Sequence, residues 1–187
     1  VKLTSRSSLL EVTASVAQAL SNAGIRAVLT GGACASIYTR GAYQSSDLDF
    51  VLQNTISQSS LDAAMAATGF ERRGNQYLHP SARFFVEFPA GPLAIGGDFK
   101  IQPIEYRVRR AAVFALSPTD SCRDRLAGFY FWNDRQSLRT AVQIAARHSV
   151  DLDAIRRWSR DEGFSAAFAE FSTELERARG RRARRRG

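Results

Sequence analysis

TGGACASIYTRGAYQSSDLDFVL, residues 30–52, decides how this chain is read. A Gly31-Gly32 pair follows the apolar, β-rich run Ile25–Thr30, and Asp47 and Asp49 then stand one residue apart inside a second apolar run. Buried strands rarely carry acids, because an unpaired charge removed from water is costly. Side chains alternate along a strand, so Asp47 and Asp49 share one face while Leu48, Phe50 and Leu52 line the other. The apolar face suits packing on helices. The acidic face presents two carboxylates a strand repeat apart, a fitting separation for one hard cation held by carboxylate oxygens.

A third acid is needed to complete such a site. RFFVEFP (83–89) offers Glu87, with Phe84, Val86 and Phe88 on the opposite face; Glu105 in IEYRV is its rival. The glycines fit the same chemistry. At a strand-to-helix junction they let a phosphate approach the backbone, and a helix start offers unpaired N–H groups and partial positive charge. No Walker lysine follows and no GxGxxG is present, so neither a P-loop nor a dinucleotide fold is indicated.

The rest of the chain supplies a frame. Residues 8–23 carry a capping-box pattern at Ser8 and Glu11, with Leu9, Val12, Val16 and Leu20 at helical spacing. The spacing predicts helices at 31–38 and 58–68. Strands are expected at 25–30, 47–52, 70–72, 76–78, 83–88, 101–108 and 111–116, with PAGPLAIGGD (89–98) as a Pro/Gly loop. That loop needs only a turn to explain it, although closing over a substrate is its functional reading. From Ser117 the pattern is helical. Ser117-Pro118 with Asp120 is a helix start, Asn133 with Gln136 reads as another, and 151–162 and 164–178 follow. Asp120, Asp151 and Asp153 read as helix-start acids. Phe129, Tyr130, Phe131, Trp132 and Trp158 read as core, with base stacking as the rival role for the cluster.

The expected fold class is α/β (α+β), a small mixed sheet flanked by helices and followed by a helical bundle. Its expected divisions are a 1–116 core, a 117–176 helical subdomain and an arginine-rich, disordered tail at 177–187. The formal charge of +8 belongs to that tail. Of 26 basic side chains seven lie there, leaving 19 against 18 acids in the remainder. The pI thus does not by itself indicate a nucleic-acid-binding domain. Cys34, Cys122, His79 and His148 lack zinc-site spacing, and the two cysteines read as reduced, half-buried thiols. No stretch approaches the roughly 20 apolar residues of a membrane span, and no signal-peptide pattern is seen. A cytoplasmic protein is expected.

The order of strand, Gly-Gly, helix, DLDF and a later apolar-acid-apolar strand resembles the DNA polymerase β-like nucleotidyltransferase superfamily, whose pattern is hG[GS], [DE]h[DE]h and h[DE]h. LTGGACASIY and SSDLDFVL resemble more specifically the AbiEii-type nucleotidyltransferases, toxin halves of toxin–antitoxin systems. The resemblance covers about 25–145, most sharply 28–52. It implies a Mg²⁺-dependent enzyme, with two ions and an NTP substrate. Its metal ligands and catalytic acids would be Asp47, Asp49 and Glu87. Gly31, Gly32 and Ser46 would bind the nucleotide's phosphates, and Arg125, Asp134 and Arg135 are the further nucleotide-binding candidates. The family usually has lysine where Arg125 stands, and the Gly32-to-Asp47 interval is longer than in its shortest forms. The implied partners are tRNA or another RNA as acceptor and an antitoxin protein. A small hydroxylated molecule or a protein side chain is the other acceptor, and a degenerate fold that binds nucleic acid or protein is the alternative function.

Overall fold

The computed structural model describes residues 2–184. Helix α1 spans Leu9–Asn22, and its capping box forms: the Ser8 side chain accepts from the Glu11 N–H while the Glu11 carboxylate accepts from the Ser8 N–H. Its buried positions, including Val12, Val16 and Leu20, are one helical stripe facing the sheet. Strand β1 (Ala27–Thr30) leads directly into α2 (Gly31–Thr39), and β2 (Asp47–Leu52) returns beside β1. After α3 (Gln58–Ala66) come β3 (Glu71–Arg73), β4 (Gln76–Leu78), β5 (Phe85–Glu87), β6 (Ile104–Val108) and β7 (Ala111–Ala115). Helices α4 (Pro118–Trp132), α5 (Arg135–Arg147), α6 (Leu152–Asp161) and α7 (Ser165–Arg184) complete the described chain.

The strands form one mixed sheet in the order β3-β4-β5-β2-β1-β7-β6. β2 is antiparallel to β1 and parallel to β5, whereas β1 is parallel to β7. One face, carrying Leu29, Leu48, Phe50, Val86 and Val113, is fully buried and packs toward α1 and α3. The opposite face carries the acids. Helices α4 and α5 pack on α2, so the apolar core runs without a break from the sheet into the C-terminal helices. The chain is thus an α/β protein with a helix-flanked mixed sheet, as its pattern indicates.

Several elements differ from expectation. The strands at 83–88 and 101–108 are shorter at their starts, beginning at Phe85 and Ile104. Asn133 ends α4 in the left-handed conformation (φ 52°) and starts nothing; the N-cap of α5 is Asp134, whose carboxylate accepts from the Gln136 N–H at 2.8 Å. Asn tolerates that left-handed corner well, so one residue fits both readings in sequence. Phe129 and Tyr130 are buried, but Phe131 and Trp132 are exposed at the end of α4, Trp132 at 76%. Of the arginine-rich end expected to be disordered, residues 177–184 continue α7, and 185–187 lie outside the described residues. Alanine, arginine and glutamate are good helix formers, and Glu174–Arg177 pair at i,i+3.

The 89–98 loop is anchored rather than loose. Trp158 Nε1 donates to the Ile95 carbonyl at 3.2 Å, and the Gly97 N–H donates to Glu162 Oε1 at 2.6 Å. The Arg123 guanidinium joins Asp98 at 2.5 Å to Asp120 at 3.0 Å and lies over the Trp158 ring.

Candidate functional site

Register brings the acids together. Asp49 lies opposite Thr30 on β1 and Glu87 on β5, and Glu87 lies opposite Gln76 on β4. Paired residues share a face, and Asp47 joins them by the two-residue alternation of β2. One carboxylate oxygen from each of Asp47, Asp49 and Glu87 lies within 4.8 Å of the others. Glu105 is elsewhere. It sits on edge strand β6, separated from β2 by β1 and β7, and pairs with Arg107 at 2.9 Å.

Each acid has a different setting. Asp47 Oδ1 accepts from Ser45 Oγ at 2.5 Å, and Glu87 Oε1 accepts from Gln76 Nε2 at 2.9 Å. Asp49 is pushed up to about 6, first by burial and then by the negative charges of Asp47, Glu87 and Asp124, with Arg125 opposing. Carboxylates this close resist ionising together, and a bound cation would relieve them.

The glycine corner closes on this cluster. Gly31 adopts φ +61°, and a Cβ there would lie 2.1 Å from Asp49 Oδ2. A Cβ at Gly32 would meet Ser45 Oγ at 2.5 Å and the Tyr43 hydroxyl at 3.0 Å. Both positions therefore exclude side chains, the first by backbone conformation as well as space. Thr30, the N-cap of α2, makes no capping hydrogen bond with its side chain; its hydroxyl instead donates to the Asp49 carbonyl at 3.4 Å. The first turn of α2 thus lies against the acids without a side-chain cap.

The remaining sequence candidates divide. Arg125 is mostly buried on α4 and pairs with Asp124 at 2.6 Å, and the charge of Asp49 also acts on it. Ser46 is exposed, and its carbonyl accepts from the Phe85 N–H at 3.4 Å. The serine that touches an acid is Ser45. Asp134 caps α5 and accepts from Ser137 Oγ at 2.6 Å, a bond that lowers its pKa. Arg135 pairs with Glu170 of α7 at 2.6 Å. These polar groups serve helix ends and helix pairing. Sequence reading missed Ser45, Gln76, Tyr43 and Asp124. Extending the Asp47/Asp49 alternation backward reaches Ser45, whereas no local signal pairs Gln76 with Glu87. Cys34 is fully buried, its thiol pushed up to about 12 by desolvation, which leaves it inert beside the site.

No protein-family model matches the chain, and no curated protein matches it. Among solved structures, the chain is similar to the crystal structure of an antigenic nucleotidyltransferase-like protein from Paracoccidioides brasiliensis. The TM-score is 0.62 at 16% identity, over 89% of this chain and 94% of that one. No helix among the described residues is long and apolar enough to cross a membrane. With its acidic cluster seated on such a sheet, the chain has a nucleotidyltransferase-like fold and a group of carboxylates that could hold a metal ion.

Proposed function

We propose that this protein is a Mg²⁺-dependent nucleotidyltransferase that moves a nucleotidyl group from an NTP to an acceptor hydroxyl. The observation that carries the reading is the meeting of three carboxylates within 4.8 Å against a glycine corner that excludes every side chain. The donor set fits a hard divalent cation: all-oxygen, anionic, and partly buried. Asp47 and Asp49 would hold it, with room in the chemistry for a second, and Glu87 would serve as the third ligand or as the base. Such ions neutralise phosphate charge and orient the attacking and leaving oxygens.

The chain's own residues do the rest. The N–H groups of the first turn of α2 point their partial positive charge at the triphosphate, and the missing side chains at Gly31 and Gly32 let Asp49, Ser45 and Tyr43 sit against that turn. Arg125 adds a fixed cation on the same side. Ser45 and Gln76 each tie down one oxygen of an acid, which fixes the free oxygens in place. Glu87, at the edge of the cluster nearest β4, takes the acceptor hydroxyl's proton. The freed oxygen then bonds to the α-phosphorus while the bond to the bridging oxygen breaks, and pyrophosphate leaves. Positioning and charge neutralisation supply most of the rate, as in phosphoryl transfer generally.

An RNA end is the acceptor we favour, and the motif resemblance supports an AbiEii-type toxin working in the cytoplasm beside an antitoxin protein. Thermal melting with Mg²⁺ and each NTP tests the site first. A rise in Tm with one nucleotide that vanishes in Asp47→Asn is expected; no rise with any nucleotide overturns the reading in favour of a binding module. Incubation with labelled NTP and total RNA tests the acceptor. Label on RNA is expected, and label on protein or small molecules alone would reject the RNA assignment.

A further inference from the structure

We infer that the free edge of β6 is a dimer interface, to which a second copy of this chain adds its own β6 in antiparallel register. This stands apart from the chemistry at the acids and does not rest on the proposed function. β6 closes one side of the sheet with five residues, Ile104–Val108, and β3 closes the other with three. Val108 pairs with Ala111 across the tight turn Arg109-Arg110. The residues flanking such a turn exchange both backbone hydrogen bonds. The alternation of an antiparallel ladder then gives Tyr106 and Ile104 the same bonds to Val113 and Ala115. The N–H and C=O groups of Glu105 and Arg107 therefore point outward, and among the described residues nothing beyond the sheet bonds to them.

The order of side chains commits this edge to its own copy. Centred on Tyr106, two antiparallel copies of IEYRV set Ile104 opposite Val108, Glu105 opposite Arg107 and Tyr106 opposite Tyr106. Each pairing is favourable: apolar on apolar, acid on base, aromatic on aromatic. Glu105 and Arg107 also carry the outward backbone groups, so ion pairs and ladder bonds form at the same positions. Within one chain these two side chains are exposed and pair with each other at 2.9 Å. Pairing across the axis exchanges that partner for an identical one and strands no charge. Edge strands commonly carry charges that repel an intruding strand. A strand of unrelated sequence leaves Glu105 or Arg107 unmatched, whereas this strand matches both.

β3 fails the same comparison. Glu71 would face Arg73 there, but Arg72 would face Arg72 at the centre, and it is already held by Asp62 at 3.1 Å. Exposed apolar surface also gathers at the β6 edge. Ile104 and Phe114, the β7 residue opposite Glu105, are both exposed, and the exposed Leu10 shares a cavity wall with Tyr106. The twofold axis of an antiparallel strand pair stands perpendicular to the sheet, so both acid faces open on the same side. At the ~4.8 Å spacing of strands, their clusters lie roughly 30 Å apart.

The test is sedimentation velocity on the full chain over a concentration series through the micromolar range, where a contact this small should associate. A monomer–dimer equilibrium is expected, weakening as salt rises. Arg107→Glu and Glu105→Arg should each weaken self-association at least tenfold, because each sets like charges opposite one another on both sides of the axis. An equimolar mixture of these two variants should dimerise again, since an acidic strand then faces a basic one. Glu105→Arg/Arg107→Glu should dimerise alone. The control Arg73→Glu on β3 should change association by less than about twofold, as an exposed charge pair contributes little. Melting curves confirm that each variant folds. A chain that stays monomeric throughout the series overturns the assignment, as does a mixture of the two variants that fails to associate. Dimers that survive Arg107→Glu overturn it too, and their loss in Phe131→Ser/Trp132→Ser would place the contact at the exposed aromatic end of α4.

Discussion

At Gly31 a backbone angle and a carboxylate oxygen compete for the same space. Gly31→Ala forces a Cβ onto Asp49 Oδ2 and holds a left-handed conformation that costs about 1–2 kcal/mol for an L-residue. We expect a lower Tm and a fall in transfer rate of roughly 100-fold, the scale of a 1 Å misplacement at a reacting centre. A melting curve and a labelled-NTP assay check both. Asp49 carries a pH signature. It holds its proton to about pH 6 in the folded chain, against an ordinary value of 3.8. Between those values the folded state binds more protons than the unfolded one, so stability declines as pH rises from about 4 to about 6 and stays lower above. Without divalent ions, Asp49→Asn should therefore melt higher than the unaltered protein at pH 7.5 and match it near pH 4. Added Mg²⁺ should raise Tm only when Asp49 is present; a rise in both proteins would remove Asp49 from the metal site. The three acids were legible because strand alternation is a local rule. Their supports were not, since Gln76 reaches Glu87 through the β4–β5 register, and register is set by packing rather than by neighbours in sequence.

Among the elements, the segment from Pro89 to Asp98 is held by side chains from two helices. Arg123 is only 8% exposed and joins Asp98, Asp120 and the Trp158 ring. Arg123→Leu leaves two acids without their cation, and truncating one side of a buried ion pair costs about 3–5 kcal/mol. Urea unfolding should show that loss, and limited proteolysis should find new cleavage between residues 89 and 98. Cleavage unchanged from the unaltered protein would mean the loop holds itself. Helix starts were read well wherever a cap was strong: Ser8, Ser57, Ser117 and Asp151 each accept from the backbone they cap. The α4–α5 junction was harder because Asn133 and Asp134 are both good cap residues, and the corner's left-handed angle decides between them. Within the arginine-rich end, residues 177–184 are helical where the charge run suggests disorder; Arg179 ties this helix to α5, a contact that composition does not record.

For the molecule as a whole, the sheet and the C-terminal helices share one apolar core. Unfolding should then be a single transition, even though the sequence texture changes at residue 117. Phe50 is 1% exposed in the sheet, whereas both tryptophans lie in helices α4 and α6. Phe50→Ala should cost about 3–5 kcal/mol, and tryptophan fluorescence should report the same midpoint shift as far-UV circular dichroism. A shift seen by dichroism alone would mean two independently folding parts. The anchored 89–98 segment has a last consequence. With Glu162, Trp158 and Arg123 gripping it, the segment is a fixed wall rather than a hinged flap. Tethering α4 to α6 should therefore leave the proteolysis pattern of residues 89–98 unchanged.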